Sequence, residues 1–165
     1  MIIPLKDIKD NIPYEFNFDY PLNLSNHLNL EKKTAVLKIS GSISKQGNLY
    51  ICDITAKTLL LARCDFCLIS VPYDIDYVLT EHFSKSNDAS DGEEIHAITT
   101  EDIDLTDVVL AGLYSQMPSQ FICRDTCKGL CTSCGNNLNI NKCNCHENED
   151  DTDPRFDALK NIKWR

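Results

Sequence analysis

Residues 35–83 read AVLKISGSISKQGNLYICDITAKTLLLARCDFCLISVPYDIDYVLTEHF, and this stretch decides the fold. From Ala35 to Ile43 apolar and polar residues alternate, the period of a strand with one buried face. Lys45-Gln46-Gly47-Asn48 is a turn signal. Residues 49–64 make a second, long strand. A third begins at Cys67 and alternates again at Ile75, Tyr77 and Leu79. Pro72 marks an edge position or a bulge, because proline has no N–H to give an interior ladder. The expectation is an antiparallel meander of at least three strands. Cys52 lies within it and reads as a small buried hydrophobe.

Toward the N-terminus, residues 2–8 (IIPLKDI) and 14–20 (YEFNFDY) read as short strands or extended segments. The second alternates Tyr14, Phe16, Phe18 and Tyr20 with polar residues, and Pro13 and Pro21 bracket it. The Asn-rich piece 22–29 reads as a loop or a short helix. On the other side, residues 84–94 (SKSNDASDGEE) are small, polar and acidic, the composition of a mobile loop. Ile95–Thr99 suits one more strand. A helix signal follows. Asp104 is a good N-cap, with Asp107 in the first turn at the positive end of the dipole. Leu105, Val108, Val109, Gly112 and Leu113 share one apolar face, and Pro118 ends the run. This helix is expected to cover one face of the sheet. After the acidic run Glu147–Asp153, Asp153-Pro154 reads as a cap followed by proline at the first helical position. That terminal helix gathers Phe156, Leu159 and Ile162 on one side, to dock on the body or to meet a partner.

The expected class is therefore α+β: an antiparallel β-meander or partly closed barrel with a covering helix, in a body spanning residues 1–118. Residues 119–165 form a small Cys-rich segment and the terminal helix. The segment from Cys123 to Cys145, CRDTCKGLCTSCGNNLNINKCNC, holds six of the nine cysteines at the spacing C-x3-C-x3-C-x2-C-x8-C-x-C. Zinc takes four ligands in a tetrahedron and favours thiolate. In Cys131-Thr132-Ser133-Cys134 the backbone can turn tightly enough to aim two sulfurs at one ion. Gly135 follows where a positive φ completes such a turn, and Asn136 and Asn137 tolerate the same geometry. Cys143 and Cys145 supply the second pair, with Leu138 and Ile140 placed to pack beside the ion. Cys123 and Cys127 stand as replacements or extra ligands. Arg124, Lys128 and Lys142 can offset the charge of four thiolates.

Disulfides are the competing reading. MIIPLKDIKD carries charges and no apolar run, so it does not read as a secretion signal. No stretch approaches the ~18–20 apolar residues of a membrane-crossing helix. A cytoplasmic setting keeps thiols reduced, and nine is an odd number to pair. Iron–sulfur patterns have other spacings, which leaves zinc ahead. Cys64-Asp65-Phe66-Cys67 sits where the second strand turns into the third. It has three readings: a redox pair, a second metal half-site, or a tight turn with small buried side chains. A redox pair needs a βαβ setting and a helix N-terminus, and neither is visible.

The net charge of −9 is concentrated: residues 84–122 alone contribute seven of those negative charges. Residues 123–146 hold three basic residues and one acidic, so there is no strong nucleic-acid footprint, only a mildly basic face.

Together these residues resemble a known family. The carriers are Arg63-Cys64-Asp65-Phe66-Cys67-Leu68 after a long strand, then Ile103-Asp104-Leu105 opening a helix that closes at Met117-Pro118. Next come Cys123, Cys127-Lys128-Gly129-Leu130-Cys131, Cys134-Gly135, Asn137-Leu138-Asn139, Cys143 and Cys145, and last Asp153-Pro154-Arg155. The set is similar to the YceD family, named for accumulation of large-subunit ribosomal RNA, in its cysteine-rich type. Thr132 departs from the proline often found there. The resemblance implies a cytoplasmic bacterial factor in ribosome biogenesis with no known catalytic activity. Its partner would be ribosomal RNA or a ribosomal or assembly protein, met directly or through a composite surface. Some members keep the C-x2-C without the later cluster, which sets Cys64 and Cys67 apart from Cys123 and Cys127.

The expected function is thus a non-enzymatic assembly factor whose structural zinc fixes a loop that presents Arg124, Lys128, Lys142 and Arg155. Two other readings stand beside it. One is a metal-dependent or thiol redox enzyme, for which His146 beside Cys145 would be a ligand or base. His27, His82 and His96 have no motif around them. The other is a zinc-stabilised adaptor unrelated to ribosomes.

Overall fold

The computed structural model describes residues 1–27, 29–85 and 95–145. Its strands are β1 (Ile2–Pro4), β2 (Tyr14–Asn23), β3 (Thr34–Gln46), β4 (Leu49–Arg63), β5 (Ser70–Ser84), β6 (Ile95–Ala97) and β7 (Asp102–Asp104). One α-helix, α1, spans Thr106–Gln116. The class is α+β, built around a five-stranded sheet in the order β2-β3-β4-β5-β6. The first four strands run antiparallel as a meander, while β6 lies parallel to β5. The sheet stays open and does not close into a barrel. A second, two-stranded sheet pairs β1 with β7.

Strand chemistry explains the meander. The β3–β4 loop has two residues, and Gly47 takes φ +62° at its first position. A two-residue hairpin loop asks for that left-handed value, which glycine adopts without steric cost. Along β4, Tyr50, Cys52, Ile54, Ala56, Thr58, Leu60 and Ala62 are all buried, every second residue, so one face of the sheet is core. Cys52 is fully enclosed, and burial pushes its thiol up to about 12. Gly41 lets β2 and β4 approach: a Cβ there would lie 2.1 Å from the Asp53 carbonyl oxygen and 2.7 Å from the Phe16 ring.

α1 covers the core face, as expected. Val109 and Leu113 are fully buried, and Gly112 lies so near Tyr77 that a Cβ would come within 2.7 Å of the ring. The Tyr77 hydroxyl donates to the Val109 carbonyl at 2.6 Å. The helix begins one residue later than Asp104 as cap would place it. Leu105 occupies the boundary, yet Asp104 Oδ1 still accepts the Thr106 N–H at 2.9 Å. Met117 is extended with ψ 128°, as a residue before proline must be.

Three local expectations shift. β2 runs through Pro21 instead of stopping there, which an edge strand permits because its outer side needs no donor. The Asn-rich piece carries β2 to Asn23 and then forms a loop, with no helix among its described residues. Residues 2–8 divide into β1 and a single 3-10 turn, Leu5–Asp7. The terminal helix and most of the acidic loop, residues 86–94, lie outside the described residues, as does His146. No described helix is long and apolar enough to cross a membrane.

Candidate metal centre

The long strands β4 and β5 end on the Cys64–Cys67 turn, and that turn is the platform of the site. The Cys64 carbonyl accepts the Leu68 N–H at 2.9 Å, and the Cys64 N–H donates to the Ile69 carbonyl at 2.9 Å. Leu68 takes φ +60° to close it. The Cys131–Cys134 turn repeats the pattern. Its Cys131 carbonyl accepts the Gly135 N–H at 2.8 Å, the Cys131 N–H donates to Asn136 at 2.8 Å, and Gly135 sits at φ +73°. The two C-x2-C units are thus the same hydrogen-bonded knuckle built twice. The left-handed position falls on Gly135 alone in the second, while Asn136 and Asn137 stay outside that region.

The segment after α1 is tied to the first knuckle. The Asp65 N–H donates to the Phe121 carbonyl, and Asp65 Oδ2 accepts the Phe121 N–H, both at 2.8 Å. Phe121 also meets Tyr73 edge-on, with ring centroids 5.5 Å apart. Two residues further on, Cys123 arrives beside the knuckle, and its N–H donates to Cys64 Sγ at 3.4 Å. Cys123 Sγ lies 3.6 Å from Cys67 Sγ, and Cys127 Sγ lies 3.9 Å from Cys64 Sγ.

Among the described residues, two quartets emerge, each with its sulfurs within 4.8 Å of one another: Cys64, Cys67, Cys123, Cys127 and Cys131, Cys134, Cys143, Cys145. Either could hold a metal ion. The sulfur distances test the fit. Four sulfurs 2.3 Å from a central zinc at tetrahedral angles lie about 3.8 Å apart. The observed 3.6 and 3.9 Å straddle that edge length, and both are far from the ~2.05 Å of a disulfide. Sequence reasoning set Cys64 and Cys67 apart from Cys123 and Cys127; the fold brings all four sulfurs together. The contact between Asp65 and Phe121, which sets Cys123 in place, joins residues 56 apart and leaves no local signature in the sequence.

The thiols within each quartet differ sharply in how readily they ionise. Burial works to raise the Cys64 thiol, but N–H groups of Cys123, Cys67 and Phe66 together outweigh it and bring it to about 6. The N–H groups of Cys134 and Ser133 likewise draw Cys131 down to about 6. Burial and the neighbouring sulfurs drive Cys123 up to about 12, and Cys134 chiefly drives Cys145 there too. Each quartet thus joins a thiol drawn toward its anion to neighbours held protonated beside it, and a cation bound among them would favour release of those protons. The two differ in depth: Cys64 and Cys67 are buried, whereas Cys134 is exposed.

Two asparagines pack around the first quartet. Asn139 Nδ2 donates to Cys127 Sγ at 3.5 Å, and its Oδ1 accepts the Lys128 N–H and Arg124 Nη2, both at 2.9 Å. Asn137 Nδ2 donates to the Cys67 carbonyl at 3.3 Å. Sequence reasoning valued Asn137 for turn geometry and missed these side-chain roles. Ile140 does not pack against a centre; it is 73% exposed. Of the histidines, His27 stacks on Tyr114 and His96 pairs with Glu81 at 2.9 Å, away from the sulfurs.

The family model described as large ribosomal RNA subunit accumulation protein YceD matches residues 52–163, a span that holds both quartets. The chain belongs to the YceD family. Among relatives of this YceD-family chain, uncharacterised protein Rv2926c of Mycobacterium tuberculosis is 30% identical over 118 residues, 69% of this chain and 55% of that protein. A Mycobacterium bovis counterpart, Mb2951c, matches equally. Uncharacterised protein YlbN of Bacillus subtilis is 22% identical over 152 residues, covering 90% of this chain and 87% of its own length. The chain thus spans about half the length of the mycobacterial relatives it matches. No solved structure matches it.

Proposed function

We propose that this protein is a non-enzymatic factor in ribosome biogenesis that supports accumulation of large-subunit ribosomal RNA, and that both quartets hold structural zinc. Membership of the YceD family across residues 52–163 carries the reading. Zinc in such a site gives a closed, four-coordinate centre and contributes directly to folding. Four thiolates leave no open position for a substrate or an activated water, which supports a structural role over catalysis. Residues 1–118 would act as the scaffold and residues 119–165 as the presented segment, the first quartet pinning one to the other. Arg124 and Lys128 are exposed beside that quartet and suit contact with phosphates or with an acidic surface of a ribosomal or assembly protein. The expected compartment is the cytoplasm, where the thiols stay reduced.

The test is capture of the tagged full chain from its native host, followed by sequencing of bound RNA and identification of bound proteins. Enrichment of large-subunit ribosomal RNA or large-subunit proteins is expected. A reproducible set of partners with no ribosomal component would overturn the reading in favour of an unrelated adaptor.

A further inference from the structure

The 128–141 stretch lies against both quartets at once. Its backbone holds the second knuckle, through the Asn136 carbonyl on the Cys131 N–H. Its side chains hold the first, through Asn139 on Cys127 Sγ and Asn137 on the Cys67 carbonyl. The two asparagines also brace each other: Asn137 Oδ1 accepts the Asn139 N–H at 3.0 Å and Asn139 Nδ2 at 2.9 Å. A second strut runs beside them. The Phe66 carbonyl, inside the first knuckle, accepts the Leu130 N–H at 2.9 Å, one residue before Cys131. Leu138 then returns to the Gly129 carbonyl at 3.0 Å.

We propose that the two four-cysteine groups bind metal as a coupled pair, with Asn139 as the positioning residue that links them. The inference rests on the metal reading above. Cys134 and Cys143 bracket the loop that carries Asn137 and Asn139. Closing the second quartet on an ion fixes that loop, whose ordering otherwise costs conformational entropy. Once ordered, the loop supplies a donor to Cys127 Sγ and to the Cys67 backbone. A hydrogen bond to sulfur stabilises the thiolate the ion requires and fixes its direction, the role outer groups play around metal sites. Filling the second quartet therefore raises the affinity of the first, and reciprocity requires the converse by the same factor.

The experiment is cadmium NMR of the reduced full chain under chelator competition, which gives a separate resonance and affinity for each centre. Cys143→Ser/Cys145→Ser dismantles the second quartet and leaves its knuckle intact; Cys145→Ser alone stands in should the pair not fold. Affinity at Cys64, Cys67, Cys123 and Cys127 is expected to fall about 10-fold or more. Asn139→Leu, which keeps the branched four-atom outline and removes both polar functions, is expected to lower that affinity comparably. In the Asn139→Leu background, dismantling the second quartet should cost clearly less than in the parent, the remainder coming through Asn137. A first quartet whose affinity stays within about twofold of the parent when the second is dismantled overturns the coupling. So does a loss that persists undiminished in Asn139→Leu, and in both cases the two-ion reading stands. Absence of stoichiometric metal at either group overturns the metal reading and the coupling with it.

Discussion

Gly129 and Gly135 provide a paired test of how the cysteine segment is held. Both occupy the left-handed region, at φ +70° and +73°. Alanine in that conformation costs about 1 kcal/mol, because its Cβ crowds the following carbonyl. Around Gly135 a Cβ would meet nothing within 4 Å, so Gly135→Ala should cost that strain alone. Around Gly129 the Cβ would sit 3.2 Å from the Phe66 carbonyl oxygen and 3.6 Å from the Phe66 Cβ. That oxygen is also the acceptor for Leu130, so the knuckle cannot retreat without loosening a 2.9 Å bond. Crowding of this kind adds about 1 kcal/mol more. On the proposed reading, folding of the segment and metal binding are one equilibrium, so the cost should appear as lost metal affinity. At about 1.4 kcal/mol per factor of ten, Gly135→Ala should lose roughly 5-fold and Gly129→Ala roughly 30-fold. Chelator competition on cobalt-loaded protein, followed by the sulfur-to-cobalt absorption, reads both. Equal losses, or a greater loss at Gly135, would refute the packing of the segment on Phe66.

Three further outcomes follow from the fold. Gly41→Ala should destabilise the sheet by about 2–3 kcal/mol or prevent folding, since the obstacle is backbone; urea unfolding of the metal-loaded protein measures it. Cys52 should resist alkylation in the folded chain, because it is enclosed and its thiol is pushed up to about 12. Cys52→Ala should leave metal stoichiometry unchanged, as read by elemental analysis. Burial also raises the Tyr77 phenol to about 12. The folded state thus holds that proton more tightly than the unfolded chain, so the stabilisation is complete below pH ~10 and lost as pH rises from there toward 12. Tyr77→Phe should flatten that alkaline decline in a stability–pH series, and a decline of unchanged steepness would count against the buried phenol as its source.

Much of this was legible in the residues. Strand period, the turn at Gly47 and the helix face from Leu105 to Leu113 all depend on neighbours within a few positions, where sequence carries the physics directly. The second quartet is local too, its four cysteines falling within 15 residues. The first quartet was harder. Cys64 and Cys127 lie 63 residues apart, and their meeting depends on Asp65 clasping the Phe121 backbone and on Phe121 packing against Tyr73. No periodicity encodes such a contact. Leu68 is a further lesson, since a leucine at φ +60° conceals a knuckle that glycine would have announced. Asn137 looked like a turn former because asparagine's side-chain chemistry and its backbone tolerance leave the same mark in a sequence, and Asn139 stood only within the family pattern.

The central claim is that two sets of four sulfurs each grip one ion and thereby fix the cysteine segment to the sheet. Elemental analysis of the purified, fully reduced chain, with protein quantified by amino-acid composition, tests it most directly. The account predicts two zinc ions per chain; a chain that carries none, yet keeps the Cys123–Cys145 segment equally protected from proteolysis in chelator, would contradict it.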